Sequence, residues 1–257
     1  MVNNWFRNMF MRFWYWYVSR LDREAEVTFL NYGFAPEHEH ENISDGLNKY
    51  PLGLYRHVVE PVELAGKRVL EVGSGRGGGA SYVKEEFGPS HVDAVDLCPN
   101  AVSFSQAHHG REGLSFHVGD AMSLDFEDSS HDVVVNVESS HRYPDQASFF
   151  AEVRRVLKPG GRFLFTDFRD AEDVEALKDE MTSQGLEVVE ERDITPNVVR
   201  ALELDHDRKE RLIRDKVPLL FRRVAREFAG AVGTRIYRDF AEGRRRYLSL
   251  VAKPASD

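Results

Sequence analysis

Short apolar runs alternate with helical stretches from residue 68 to residue 190, and this alternation is the strongest constraint on the fold. Strand–helix–strand repeats of this length are typical of parallel sheets that are covered by helices. The sequence therefore predicts an α/β fold with strands over 68–72, 91–97, 114–118, 132–137, 162–166, 186–190 and 246–252. It predicts intervening helices over 77–87, 99–109, 145–157 and 172–183.

The N-terminal stretch does not follow this alternation. Residues 5–17 hold eight aromatic residues, including all three tryptophans. Several of these aromatics, Trp14 among them, fall at i, i+3, i+4 spacing, which predicts an amphipathic helix. Charged residues interrupt the stretch, so it is too short and too polar for a membrane span or a secretory signal. We expect residues 1–59 to form an N-terminal helical cover that packs on the domain, acts as a lid or contacts a membrane surface.

Residues 195–242 also break the alternation, and they are predicted to form a helical insertion before the last strand. Over 195–246 the chain carries 14 basic and 8 acidic residues, whereas the whole chain has a net charge of −9. This local excess fits a solvated helical face, an anionic substrate headgroup or an anionic surface. We expect the insertion to cover the substrate.

The composition excludes several classes of protein. With 34 basic and 43 acidic residues, the chain lacks an overall electrostatic footprint for nucleic acid. Cys98 is the only cysteine, which excludes an internal disulfide and a cysteine-based zinc site and fits a reducing, cytoplasmic location. His38 and His40 alternate with glutamates, but no further ligand set is evident, so we expect a solvated loop and no metal site.

A glycine-rich turn, 73–77, lies between the first predicted strand and its helix. Glycines there let the backbone approach a ligand, and the helix N-terminus offers free N–H donors. Dinucleotide, nucleotide and S-adenosylmethionine sites all use such turns, and some serve packing only. Three later residues favour a nucleoside ligand: Asp96 ends the second strand, Asp120 follows the third and Asn136 lies at the end of the fourth. An aspartate after a strand is also a common turn or cap residue.

Taken in order, these motifs resemble the series found in class I S-adenosylmethionine-dependent methyltransferases. The series is Glu71-x-Gly73-x-Gly75-x-Gly77, Asp96, Gly119-Asp120-Ala121-x-x-Leu124-x-Phe126 and Phe149-x-x-Glu152-x-x-Arg155-Val156-Leu157-Lys158-Pro159-Gly160-Gly161. The resemblance covers about residues 60–193 and 246–253. It implies a doubly wound, seven-stranded, mostly parallel Rossmann-like sheet with a reversed last strand, in a methyltransferase domain over 60–257.

The same resemblance implies S-adenosylmethionine as the cofactor. In the family, the glycine loop cradles the methionine part, the acidic residue after strand two holds the ribose and the aspartate after strand three contacts adenine. The candidate cofactor-binding residues are then Glu71, Gly73, Ser74, Gly75, Gly77, Asp96, Leu97, Asp120, Ala121 and Asn136. A nicotinamide oxidoreductase shares the glycine loop, but it usually spaces its glycines differently.

A narrower resemblance links segments 29–36, 75–82 and 136–144 to mycobacterial-type lipid methyltransferases, which include the phthiotriolone dimycocerosate and fatty-acid O-methyltransferases. Those enzymes methylate a hydroxyl or carboxyl group on a long apolar molecule. The resemblance therefore implies O-methylation of a hydrophobic or amphiphilic acceptor such as a lipid, polyketide or aromatic acid. C- or N-methylation of a small natural product and cofactor binding without transfer stay open, as does peripheral membrane contact.

His141 is the histidine best placed for catalysis. It lies in the loop after the fourth strand, at the edge where cofactor and substrate should meet, and a histidine near neutral pKa can accept a proton from a hydroxyl acceptor. Glu138 could orient its imidazole, although the histidine could also cap a helix or bond to Glu138 structurally. Tyr32, Tyr143 and Trp14 are the candidate substrate-binding residues, and a tyrosine is more often a packing residue than a ligand.

Overall fold

The structure, a computed structural model, describes residues 28–37 and 46–255. Within these residues, seven strands form one sheet in the order β3-β2-β1-β4-β5-β7-β6. The strands are β1 Arg68–Val72, β2 His91–Asp96, β3 Leu114–Val118, β4 His131–Val137, β5 Leu157–Asp170, β6 Leu186–Asp193 and β7 Arg245–Pro254. Strands β1 to β5 pair in parallel, and β7 runs antiparallel to both β5 and β6. The predicted seven-stranded, mostly parallel sheet with a reversed last strand is confirmed.

Helices cover both faces of the sheet. They are α1 Lys49–Val59, α2 Gly78–Phe87, α3 Pro99–His109, α4 Gln146–Val156, α5 Val174–Ser183, α6 Thr195–Leu204, α7 His206–Lys216, α8 Arg222–Phe228 and α9 Arg235–Ala241. Helices α4 and α5 bury Phe149, Phe150 and Met181 on one face, whereas α1 and α6 bury Leu54 and Val198 on the other. Across the described ranges, none of the helices is long and apolar enough to cross a bilayer.

One turn differs from its prediction. The sequence predicts that residues 158–161 connect the helix 145–157 to the strand 162–166, but α4 ends at Val156 and β5 begins at Leu157. His131 of β4 pairs with Leu157 and Val133 pairs with Arg162, so residues 158–161 form a bulge within β5. The positive φ of Gly160, 79°, accommodates this bulge.

The insertion before β7 consists of two parts. Helices α6 and α9 bury Leu202 and Phe240 in the core beside β7, whereas α7 and α8 enclose a small cluster of their own around Ile213 and Ala225. The first part therefore belongs to the body of the domain. The division into a 1–59 cover and a 60–257 domain stays a prediction, because residues 1–27 and 38–45 lie outside the described residues. Trp14, His38 and His40 lie in those ranges.

Candidate active site

The candidate site lies where the chain order of the sheet reverses. Strands β1 and β4 are neighbours, with β2 and β3 on one side and β5 on the other. Because these five strands are parallel, the loops that follow them emerge at one edge, and open α/β sheets bind ligands in the crevice at such a reversal. The site is built from the loops after β1, β2 and β4 and from the end of β5.

The glycine loop after β1 folds back against β2. The N–H groups of Gly73 and Ser74 both donate to the Val95 carbonyl oxygen, at 2.8 and 3.0 Å. Gly73 and Gly75 have positive φ values of 81° and 55°, which suit glycine. A Cβ on Gly73 would lie 2.3 Å from the Ser139 Oγ, whereas a Cβ on Gly75 would meet no heavy atom within 4 Å. The loop is packed tightly at Gly73 and is open at Gly75.

Helix α2 begins in close contact with its surroundings. Gly77 has a φ of 77°, and a Cβ there would lie 2.7 Å from both the Phe116 ring and the Ser105 Oγ. Two residues later, a Cβ on Gly79 would lie 2.0 Å from the Tyr55 ring. The glycines of this motif therefore allow the helix N-terminus, with its free N–H groups, to approach the crevice.

Asp96, at the end of β2, holds the open part of the loop. The Gly75 N–H donates to Oδ2 at 2.7 Å, and the Cys98 N–H donates to Oδ1 at 2.8 Å. Burial raises the pKa of Asp96 above its ordinary value. Each carboxylate oxygen can accept a second hydrogen bond, so the side chain can also bind hydroxyl groups of a ligand.

Glu71 is a buried carboxylate directly beneath the glycine loop. The Tyr55 hydroxyl donates to Oε1 at 2.6 Å, whereas Oε2 has no hydrogen-bond partner among the described residues. Burial raises the pKa of Glu71 to about 7. The Ser74 hydroxyl is also buried without a partner in the described part of the chain. Buried polar atoms of this kind favour a polar ligand group, and a carboxylate favours a cationic one.

Glu71 makes the stability of the protein depend on pH. Its pKa is raised, so the folded state holds a proton that the unfolded state releases, and stability falls as pH rises from about 4.5 to about 7. We expect Glu71→Gln to remove the part of this pH dependence that Glu71 contributes, at most about 3 kcal/mol, and to leave the part that comes from Glu138, whose pKa is also raised by burial. Urea unfolding at several pH values measures it. Glu63→Gln, at an exposed position before β1, should keep the wild-type slope, and a Glu71→Gln variant with that slope would contradict the prediction.

Asn136 fastens the loop after β4 to the end of β1. Its Nδ2 donates to the Val72 carbonyl oxygen at 2.9 Å, to the Ser139 Oγ at 2.8 Å and to the Tyr143 hydroxyl at 3.2 Å. The side chain is fully buried. Asn136 and the Tyr143 hydroxyl therefore hold the loop after β4 against Gly73. Contacts of Asn136 with the cofactor and of Tyr143 with the substrate stay predictions.

The loop after β3 contains the predicted adenine contacts. Asp120 accepts a hydrogen bond from the Met122 N–H at 2.9 Å, so one carboxylate oxygen orders the turn. Ala121 is half-buried against the core, and Leu97, after β2, is 69% exposed. The contacts of these residues with an adenine ring stay predictions.

His141 and Asp167 form a hydrogen-bonded pair at the carboxyl edge of the sheet. The His141 Nδ1 lies 2.8 Å from the Asp167 Oδ1, and the His141 backbone N–H donates to Oδ2 at 2.9 Å. The Arg142 Nε donates to the His141 Nε2 at 3.1 Å. Because a carboxylate only accepts hydrogen bonds, this pairing places the imidazole proton on Nδ1 and a lone pair on Nε2. Burial lowers the pKa of His141, and the charges of Arg142 and Arg169 act in the same direction, against the opposing effect of Asp167.

A buried network keeps Asp167 ionised. The Ser140 hydroxyl donates to Asp167 Oδ2 at 2.7 Å, and the Arg169 Nη1 lies 3.4 Å from the same oxygen. Burial alone would raise the pKa of Asp167, but His141, Arg169 and the Ser140 hydrogen bond hold it well below its ordinary value. Arg169 is itself fixed by the Gln146 Oε1 at 3.1 Å. Asp167 is therefore a fixed negative charge behind the imidazole.

Glu138 does not orient His141, contrary to the expectation from the sequence. Its Oε2 accepts the Tyr32 N–H at 2.7 Å, while the imidazole bonds to Asp167. Glu138 has a positive φ of 52°, a conformation uncommon for a residue with a side chain. Burial raises its pKa to about 8. Lys209 of α7 donates to the Tyr32 carbonyl oxygen at 3.4 Å. Tyr32, Glu138 and Lys209 therefore connect the N-terminal segment, the loop after β4 and the insertion.

Comparisons with known proteins identify the family. A family model described as a methyltransferase domain matches residues 70–165, from β1 into β5. The chain is 38% identical over 245 residues to the fatty-acid O-methyltransferase of Mycolicibacterium smegmatis, covering 94% of this chain and 89% of that protein. It is 35% identical over 226 residues to a probable phthiotriol/phenolphthiotriol dimycocerosates methyltransferase 2 of Mycobacterium ulcerans, covering 87% and 88%. The chain belongs to this methyltransferase family.

Solved structures agree on the fold. The [4+2]-cyclase SpnF superimposes with a TM-score of 0.74 at 19% identity, covering 93% of the methyltransferase and 94% of the cyclase. The cyclopropane synthase MmaA2 from Mycobacterium tuberculosis has a TM-score of 0.72 at 14% identity, covering 91% and 95%. At these identities the likeness concerns the fold alone, and a shared fold hosts more than one reaction.

The methyltransferase uses S-adenosylmethionine, and the residues of the crevice fit this cofactor. Among the described residues, Glu71 Oε2 and the Ser74 hydroxyl are buried without a hydrogen-bond partner, and a Cβ on Gly75 would meet no heavy atom within 4 Å. A carboxylate in that position suits the cationic methionine part, and Asp96 suits the ribose hydroxyls. Glu71, Ser74, Gly75 and Asp96 would therefore hold the cofactor, together with Asp120.

Asp167 was missed by the sequence analysis. The available signal was an acidic residue immediately after the predicted fifth strand, at the same edge as His141. That strand continues to Asp170, so Asp167 lies within β5 and is fully buried. Its role depends on the loop after β4 folding back over β5, a contact between residues 26 positions apart that no local pattern encodes.

Proposed function

We propose that this methyltransferase methylates a hydroxyl oxygen of a lipid-type amphiphile, with His141 as the general base. The observation that carries the proposal is the His141–Asp167 pair, with 2.8 Å between Nδ1 and Oδ1. A hydroxyl acceptor must lose its proton during the reaction, whereas a carboxylate is already ionised. A histidine held in one tautomer by a buried carboxylate supports the first kind of acceptor.

The reaction requires one proton to leave the acceptor. S-adenosylmethionine supplies an electrophilic methyl group when it is bound. His141 would take the hydroxyl proton at Nε2, and the fixed charge of Asp167 would stabilise the resulting imidazolium. In the structure the Arg142 Nε donates a hydrogen bond to His141 Nε2 at 3.1 Å. Arg142 would have to release Nε2 before the acceptor hydroxyl could bind there.

Aromatic side chains beside the base support an apolar acceptor. The Phe168 ring lies 4.4 Å from the His141 ring, and Tyr32 and Phe240 lie 5.7 and 5.6 Å from Phe168. Phe240 comes from α9 and is buried in the core, so the proposal that the insertion helps to cover the substrate rests on α8, whose Phe228 ring lies 5.5 Å from the Arg142 guanidinium. Two relatives are named for a fatty acid and for phthiotriol or phenolphthiotriol dimycocerosates, and these names support a lipid-type acceptor here.

Carboxyl methylation is a second candidate, and Arg142 favours it. Its guanidinium lies beside His141, 5.5 Å from the Phe228 ring of α8, and its charge acts on the carboxylate of Asp96. A cation at this position could pair with an acceptor carboxylate. In that case the acceptor needs positioning and no base, so His141 would matter little to the rate.

A matched pair of acceptors tests the proposal. The purified protein is incubated with S-adenosylmethionine and either a long-chain alcohol or phenol, or the fatty acid of equal chain length, in detergent micelles. We expect methyl ether formation from the hydroxyl acceptor, read by mass spectrometry. Ester formation alone, independent of His141, would favour the second candidate. Turnover restricted to carbon or nitrogen acceptors would contradict both.

A further inference from the structure

The turn between α7 and α8 exposes two adjacent leucines. Residues Leu219–Phe221 form a short 3-10 turn, in which Leu219 is 79% and Leu220 is 82% exposed. Val224, four residues after Leu220 on the helical segment that follows, is also exposed. Adjacent apolar side chains that folding leaves in water are typical of an interaction surface. We call residues 218–224 the leucine tip.

Basic side chains surround the leucine tip. Residues 211–224 carry five basic residues and one acidic residue, in a chain whose net charge is −9. Arg211, Arg214 and Arg223 are exposed. Arg222 instead stabilises the turn, because its guanidinium donates to the carbonyl oxygens of Val217 and Arg214 at 2.9 and 2.7 Å. The tip is therefore a hydrogen-bonded, exposed, apolar surface with a positive margin.

We propose that the leucine tip docks on an anionic lipid surface. Leu219 and Leu220 enter the boundary between headgroups and acyl chains, and Arg211, Arg214 and Arg223 bind the anionic headgroups. The positive margin is complementary in charge to the headgroups of anionic lipids. Two leucines that are 79% and 82% exposed can enter a deformable bilayer without a preformed groove.

The position of the tip links docking to the active site. Helix α8 runs from Arg222 at the tip to Phe228, whose ring lies 5.5 Å from the Arg142 guanidinium. Seven helical residues span about 10 Å. This link between docking and catalysis rests on the proposed function. If the acceptor is a lipid in the bilayer, the length of α8 separates the bilayer surface from the His141–Arg142 pair.

Vesicle co-sedimentation of the full chain tests docking without requiring an acceptor. We expect the protein to bind vesicles of phosphatidylcholine with phosphatidylglycerol, to release in high salt, and to bind pure phosphatidylcholine weakly. The double variant Leu219→Ser, Leu220→Ser should bind the vesicles at least about tenfold more weakly, because it loses the free energy that two leucine side chains gain when they move from water into the bilayer. Leu204→Ser is the matched control, since Leu204 is 55% exposed at the end of α6, away from the tip in the sequence.

Three outcomes would contradict docking. The wild-type protein could bind neither kind of vesicle, the double variant could bind as well as the wild type, or gel filtration could show a dimer that the double variant dissociates. Thermal melting and S-adenosylhomocysteine binding establish that the variants are folded. The acceptor assay in detergent micelles needs no bilayer, so its failure would refute the proposed function and leave the docking result standing.

Discussion

His141→Gln is expected to lower kcat for a hydroxyl acceptor by about 10²- to 10⁴-fold, the usual contribution of a general base. Glutamine can still donate a hydrogen bond to Asp167, but it cannot accept a proton at the position of Nε2. Binding of S-adenosylhomocysteine should change little, because His141 lies after β4 and the cofactor residues lie mainly after β1 and β2. Steady-state kinetics and calorimetry measure the two quantities.

The pH dependence of the rate is a second test of the role of His141. Burial lowers the pKa of His141 below its ordinary value of 6.5, so the neutral base predominates at pH 7. The rate should therefore be level from pH 7 to 8 and should fall as pH decreases through the lowered pKa. The residual activity of His141→Gln should lack this acidic limb.

Two further variants distinguish the loss of a general base from a general loss of folding stability. His108→Gln changes an exposed histidine at the end of α3 and should leave kcat and its pH profile unchanged. Asp167→Asn should lower kcat and also reduce stability by about 3 kcal/mol, since it leaves Arg169 buried without its anion. A His141→Gln enzyme with wild-type rate and pH profile on a hydroxyl acceptor would rule out His141 as the base.

Gly73→Ala is expected to destabilise the protein by about 2 to 5 kcal/mol and to weaken cofactor binding more than tenfold. Its φ of 81° costs about 1 to 2 kcal/mol for a residue with a Cβ. The added Cβ would also lie 2.6 Å from the Ser139 Cβ and 2.8 Å from the Tyr143 hydroxyl, and such overpacking costs about 1 to 3 kcal/mol. The loop after β4, which Asn136 fastens here, would have to move.

Gly66→Ala is the matched control for this variant. Gly66 precedes β1 with a φ of 71°, and a Cβ there would meet no heavy atom within 4 Å. We expect it to cost about 1 to 2 kcal/mol from the backbone alone and to leave cofactor binding unchanged. Urea unfolding and calorimetry with S-adenosylhomocysteine compare the two. Equal effects of both variants would show that the close contact at Gly73 does not matter.

Most of the framework could be predicted from the sequence, because local patterns encode it. Strands β1 and β3 have their predicted bounds, and α2 and β4 differ from prediction by one residue at the start. Apolar periodicity and glycine or proline turns decide such elements within a few residues. The bulge at Gly160 could not be predicted in this way, since it depends on how β5 pairs with β4.

The candidate site also contains residues that the sequence predicts and contacts that it does not. Local patterns predicted the glycine loop, the acidic residues after β2 and β3 and the candidate base His141, because each follows a strand at a recognisable position. The packing of distant segments places Asp167 against this histidine and Glu138 against the Tyr32 N–H, 106 positions earlier. These pairings depend on how two chain segments pack across the edge of the sheet, and a hydrogen bond between distant residues leaves no periodic signal in either segment.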